Sequence, residues 1–225
     1  MGQDGAEPVP SLAPLPEPVH RAAEVFRECL IEVARLADAV PPDGSADGVL
    51  RRGIRQALDG RSQLPEELFD ALLRAAVHDP DPSFNRQFVE PAVTAFGRRR
   101  VQEALLGCLA TGTDPERAGA ARAWYWAEPR LVCRGEALVA TPESQAEYDA
   151  HADLGARWNA AALREFVANE DLDVRCCVLP VLPLHPSAHP GSARGLIAEA
   201  VRVARTHPDG YLRSRVEIQV RSGAE

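Results

Sequence analysis

Four segments of this chain share one layout: HDPDPSFNRQFV, TGTDPERAGAARAW, NEDLDVRCCVL and HPDGYLRSRVEI. Each places an acidic residue at or before a helical stretch (Asp81, Asp114, Asp171, Asp209) and an Arg shortly after it (Arg86, Arg117, Arg175, Arg213). An Asp there accepts hydrogen bonds from otherwise unpaired backbone N–H groups, and its charge complements the helix dipole. The Arg that follows can reach an Asp in a neighbouring turn, which would tie successive turns into a ladder. From Asp81 to Asp114 is 33 residues and from Asp171 to Asp209 is 38, the period of a helical hairpin. One hairpin cannot bury its apolar face alone, so a chain built this way is constrained to stack hairpins.

The apolar spacing agrees. Val19, Ala22, Phe26, Leu30, Val33, Ala37 and Val40 recur at steps of three and four before Pro41-Pro42, the mark of an amphipathic helix and its stop. Residues 49–58 and 65–78 form further helices, the second opening on Pro65-Glu66-Glu67, a favourable first turn. The hairpins pair 65–78 with 83–97, 98–111 with 114–128, 142–168 with 172–184, and 190–206 with 209–221. Pro91, Pro180 and Pro183 are expected to kink or shorten their helices. Residues 1–18 are Pro-rich with few apolar anchors and are expected to be a disordered tail. Residues 19–225 then make a single domain. An insertion near 129–141 interrupts the period, and LVCRGEALVA (131–140) within it, the one stretch that offers either a short hairpin or an irregular loop, reads as a loop.

Over residues 65–221 this pattern resembles the HEAT and HEAT-like (PBS-lyase-type) α-helical repeat family. The resemblance implies an all-α, right-handed α-solenoid of about four hairpins with an N-terminal helical cap. It also implies that the second helix of each hairpin lines a concave surface.

Composition narrows the function. All 25 basic residues are Arg and the net charge is −8; with abundant Ala and Pro, this matches GC-rich bacterial coding. It disfavours nucleic acid as a partner, because such binding rests on clustered cations. Residues 86–134 carry eight Arg against five acidic residues, whereas 135–173 carry two against nine. A basic middle therefore precedes an acidic stretch. There is no apolar run of membrane-spanning length and no basic, apolar leader, so a cytoplasmic protein without a membrane partner is expected. Five cysteines without a C-x-x-C pair read as reduced thiols.

No Walker loop, G-x-G-x-x-G, H-E-x-x-H or G-x-S-x-G occurs, and no cofactor is expected. Cys176, Cys177, His185 and His189 cluster in sequence. However, adjacent thiols on a helix diverge by about 100°, and prolines break the histidine segment, so no metal site is expected. Glu143, Glu147, Asp149 and Asp153 read as a solvated face near a helix start. Arg98, Arg99 and Arg100 follow Gly97, and their charge at a helix start opposes the dipole, which marks them as candidates for an anionic partner.

The run RAWYWAEP (122–129) holds two of the three tryptophans. At about 100° per residue, Trp124 joins the apolar stripe with Ala120, Ala121 and Ala127. Tyr125 falls on the flank and Trp126 on the opposite side, four residues from Arg122, where cation and ring can stack. Arg122, Tyr125, Trp126 and Arg130, with Arg98–Arg100, are the candidate partner-binding residues, and no catalytic residue is assigned. The expected function is a non-enzymatic helical-repeat scaffold that binds another protein through its concave face. The alternative that the resemblance implies is a DNA-binding enzyme similar to the HEAT-like alkylpurine DNA glycosylases. Trp126, Tyr125 and Arg122 would match their aromatic and basic residues, with Glu128 or an insertion carboxylate as the acid.

Overall fold

The computed structural model describes residues 11–17, 23–39, 45–134 and 139–222. Among these the chain is all-α apart from one two-stranded hairpin: α1 (Ala23–Leu36), α2 (Asp47–Leu58), α3 (Leu68–His78), α4 (Arg86–Phe96), α5 (Arg98–Thr111), α6 (Asp114–Ala127), β1 (Cys133–Arg134), β2 (Val139–Ala140), α7 (Pro142–Ala150), α8 (Ala152–Ala168), α9 (Leu172–Val178), α10 (Arg194–Thr206) and α11 (Gly210–Ser222). The periodic stretches are all helical, and Phe26, Leu30, Val33 and Ala37 are buried as their spacing requires. Val19, Ala22, Val40 and Pro41-Pro42 lie outside the described residues, as do residues 1–10 and Pro18 of the expected tail. Residues 11–17 form no regular element, but the Ala13 N–H donates to Ser214 Oγ on α11 at 3.0 Å.

The turns follow the expected chemistry with one change. Asp171 Oδ1 accepts from Val174 N, Asp209 Oδ1 from Tyr211 N and Leu212 N, and Asp81 Oδ1 from Ser83 N. Before α6 the cap is Thr113, which forms a capping box with Glu116; Asp114 instead accepts from Arg117 and Asn169. A second repeated device lies two residues earlier, where Asp79, Asn169 and His207 each accept the backbone N–H two positions on. In place of the expected uniform ladder to neighbouring turns, the turn arginines serve varied acceptors. Arg86 pairs with Glu90, Arg117 with Asp114 and Glu165, and Arg213 donates to the carbonyls of His207 and Pro208.

Three other expectations are corrected. The stretch 142–168 is two helices, parted at His151. LVCRGEALVA is not a plain loop: Cys133 pairs with Ala140 and Arg134 with Val139 in an antiparallel register, while residues 135–138 lie outside the described residues. Pro91 sits inside an unbroken α4, whereas Pro180 does end α9, which passes into a 3₁₀ turn at Leu179–Val181.

Packing joins neighbours along the chain. α1 packs on α2 and α3, α3 on α4 and α6, α5 on α6 and α8, α6 on α9, and α8 on α10, which packs on α11. α3 and α6 approach closely at Gly119, where a Cβ would lie 1.9 Å from the Val77 carbonyl oxygen. One contiguous apolar core runs from Phe26 to Val216. It is crossed by a buried ion pair, Arg51 with the fully buried Asp79, at 2.6 and 2.7 Å. The Arg51 guanidinium also lies 4.5 Å from the Phe26 ring centroid.

Candidate functional site

The aromatic run divides as its helical spacing requires. Trp124 is fully buried and stacks on Trp158 of α8, centroids 4.0 Å apart and planes within 4°. Tyr125 is 50% exposed, and Trp126 is half-buried at the core's edge. The rings of Tyr125 and Trp126 meet edge to face at 4.9 Å, a favoured aromatic geometry. The Trp126 indole N–H donates to Pro82 O at 3.2 Å, so the turn before α4 holds one edge of the ring.

The cations over these rings are not the one the helix spacing selects. Arg122 turns inward and donates to Val77 O, Asp79 O and Cys177 Sγ, tying α6 to the end of α3 and to α9. Arg130 instead lies over both rings, 4.6 Å from the Tyr125 centroid and 5.1 Å from that of Trp126. Arg86 of α4 lies 5.3 Å from the Trp126 centroid. Arg86 is known to the sequence only as a turn arginine, because its approach to Trp126 depends on how α4 packs on α6.

Arg98, Arg99 and Arg100 fan apart. Arg98 pairs with Glu147 at 2.7 Å and donates to the carbonyls of Ala127 and Glu128, so it caps the negative end of the α6 dipole. Arg99 pairs with Asp153 at 2.7 Å and donates to Ala150 O. Arg100 pairs with Glu66 and lies 3.8 Å from the Phe69 ring centroid. The conflict with the α5 dipole is thus met by partners on other elements. Two of those partners, Glu147 and Asp153, belong to the carboxylate row read from the sequence as solvated.

The ridge of Tyr125 and Trp126 separates two clefts. On the Trp126 side, a cleft of about 540 Å³ is lined by Arg86, Arg98, Arg130, Glu90 and Glu147, opposite charges in one concavity. On the Tyr125 side, a cleft of about 650 Å³ is lined by Tyr148, Gly155, Asn159, Gln102 and Gln219. Glu128 lines both. Glu128 is an exposed residue, yet desolvation of its carboxyl holds it above the ordinary 4.5, with the Trp124 indole and Arg130 opposing.

The sulfur and imidazole cluster does not assemble. Cys177 lies against Arg122, His185 against Ser187 Oγ, and His189 against Pro183 O. Burial pushes the Cys176 and Cys177 thiols up, so both are poor thiolates. Among the described residues, no three His, Cys, Asp or Glu side chains group as metal ligands do, and no helix is long and apolar enough to cross a membrane.

Gln102 and Tyr148 were not found from the sequence. Gln102 did leave a signal: it shares an apolar stripe with Leu105, Leu106 and Leu109 at helical spacing, where a polar residue is out of place. Comparison of the chain with family models, with curated proteins and with solved structures gives no match.

Proposed function

We propose that this chain is a non-enzymatic helical-repeat binding protein, an α-solenoid of the HEAT-like kind. In this reading it recognises a protein partner through the face bearing Tyr125, Trp126, Arg130 and Arg86. The observation that carries it is the half-exposed pair of rings, edge to face, with Arg130 over both and Arg86 over one. Trp, Tyr and Arg are the residues that dominate binding energy in protein interfaces. Rings already held by neighbouring guanidiniums lose little freedom when a partner covers them. The solenoid reading draws support from contacts that pass from helix to helix, α1 to α3 to α6 to α9 on one side and α5 to α8 to α10 beside it. A DNA-binding enzyme on such a scaffold would need free cations, whereas Arg98, Arg99 and Arg100 are each engaged by a carboxylate of this chain.

The test is capture from the native cell followed by purified binding, with wild type beside the double variant Tyr125→Ala, Arg130→Ala. Both side chains are exposed, so the variant should melt within about 2 °C of wild type. It should lose a partner that wild type retains, by at least about tenfold in affinity. Unchanged retention of every captured protein would overturn the proposal.

A further inference from the structure

The cleft on the Tyr125 side is lined in part by Gln102, a side chain that packing does not explain. Gln102 is 0% exposed, and neither its Oε1 nor its Nε2 has a hydrogen-bond partner among the described residues. An amide unpaired at both ends weighs against folding, and a leucine there would not. Gln219, on the same cleft, is half satisfied. Its Nε2 donates to Leu179 O and Leu182 O at 2.7 and 3.2 Å, which fixes the amide and leaves its Oε1 buried and unpartnered. The cleft lining therefore offers one unpaired amide donor and two unpaired amide acceptors, the complement of a group that both donates and accepts along one planar edge.

The rest of the cleft narrows the ligand further. Tyr125 and Tyr148, about half-exposed, contribute flat apolar surface. One wall is small: at Gly155 on α8 an added Cβ would meet nothing within 4 Å. No Arg lines the cleft among the described residues; apart from the tyrosines, its titratable side chains are Glu128, His151 and His185, a mixed set that selects neither sign of charge and leaves the choice of ligand to the amides. The volume, about 650 Å³, lies in the range that holds small organic ligands.

We propose that this cleft binds a small, neutral, aromatic ligand bearing a carboxamide edge, with Gln102 pairing to that edge donor to acceptor and acceptor to donor. Such pairing is the geometry by which Gln and Asn side chains read amide-like edges elsewhere. The site shares Tyr125 with the neighbouring ridge, but it rests on Gln102 and Gln219 and does not depend on the protein-binding reading.

The experiment is titration of the full chain with benzamide, benzoate and benzylamine, followed by calorimetry and ligand-observed NMR. The three share a ring and differ in the group presented to Gln102. Benzamide should bind saturably below about 10 mM, as expected for a fragment of its size, with benzoate and benzylamine at least about tenfold weaker. Gln102→Leu should lose benzamide by about tenfold or more and melt at or above the wild-type temperature. Gly155→Leu, which fills the open wall and improves helix propensity, should also lose benzamide while remaining folded. The proposal is overturned by the absence of saturable benzamide binding, or by equal binding of benzoate or benzylamine. Unchanged binding by Gln102→Leu would sink it too, as would a lower melting temperature of that variant, which would place the amide's role in the fold.

Discussion

Among the described glycines, Gly119 meets the closest neighbouring backbone. An Ala there would drive its Cβ against the Val77 carbonyl oxygen on α3, and backbone cannot step aside as a side-chain tip can. Gly119→Ala is expected to cost about 3 kcal/mol by urea unfolding, despite the better helix propensity of Ala. Glu128 shows the opposite sign of effect. Its carboxyl is raised by desolvation above its ordinary value, so its ionisation weighs against folding. That penalty is absent below the ordinary carboxylate range and complete once the pH has passed the folded-state value. Glu128→Gln removes it, and the variant should gain on wild type in melting temperature between pH 4 and pH 7. Equal differences at the two pH values would show that the carboxyl is not desolvated. Arg122 marks a limit of reading at this scale: its two backbone acceptors lie 43 and 45 residues away in sequence, and helical spacing offers only the nearer ring.

Helices were legible where local chemistry decides them. Turn chemistry, proline and the apolar stripe together mark most boundaries, and the stripe alone assigns Trp124 inward and Tyr125 to the flank. What the stripe cannot supply is the partner, here Trp158 on α8, stacked on Trp124 with both rings fully buried. Trp124→Ala would open a cavity between α6 and α8 and is expected to cost about 3–5 kcal/mol, measured by chemical unfolding. Near-UV circular dichroism of Trp158 should weaken in the same variant, since its stacking partner is gone. For β1 and β2 the sequence leaves hairpin and loop both open, because a two-residue ladder has almost no periodicity to read. Its order comes from neighbours: Thr141 N donates to Val132 O, and Val132 N donates to Ser144 Oγ.

Across the whole molecule, the uneven charge of the sequence finds its use. Arg98 and Arg99, from the basic middle, pair with Glu147 and Asp153 from the acidic stretch that follows, fastening α7 and α8 to the start of α5. Exposed pairs of this kind contribute little stability each, so α7, with Ser144 as its one buried residue, is expected to be loosely held. Native-state hydrogen exchange should find α3, α6 and α8 slowest and α7 among the fastest helices; uniform protection would contradict packing that runs from neighbour to neighbour. Helix content and the apolar stripes of α1 and α6 were determined by the sequence alone, because they depend on backbone preference and on apolar spacing within one or two turns. The direction of each arginine, the cover on Trp126 and the unpaired amide of Gln102 were decided only by tertiary structure. Long polar side chains choose among acceptors that share no local sequence, and packing alone brings those acceptors within reach.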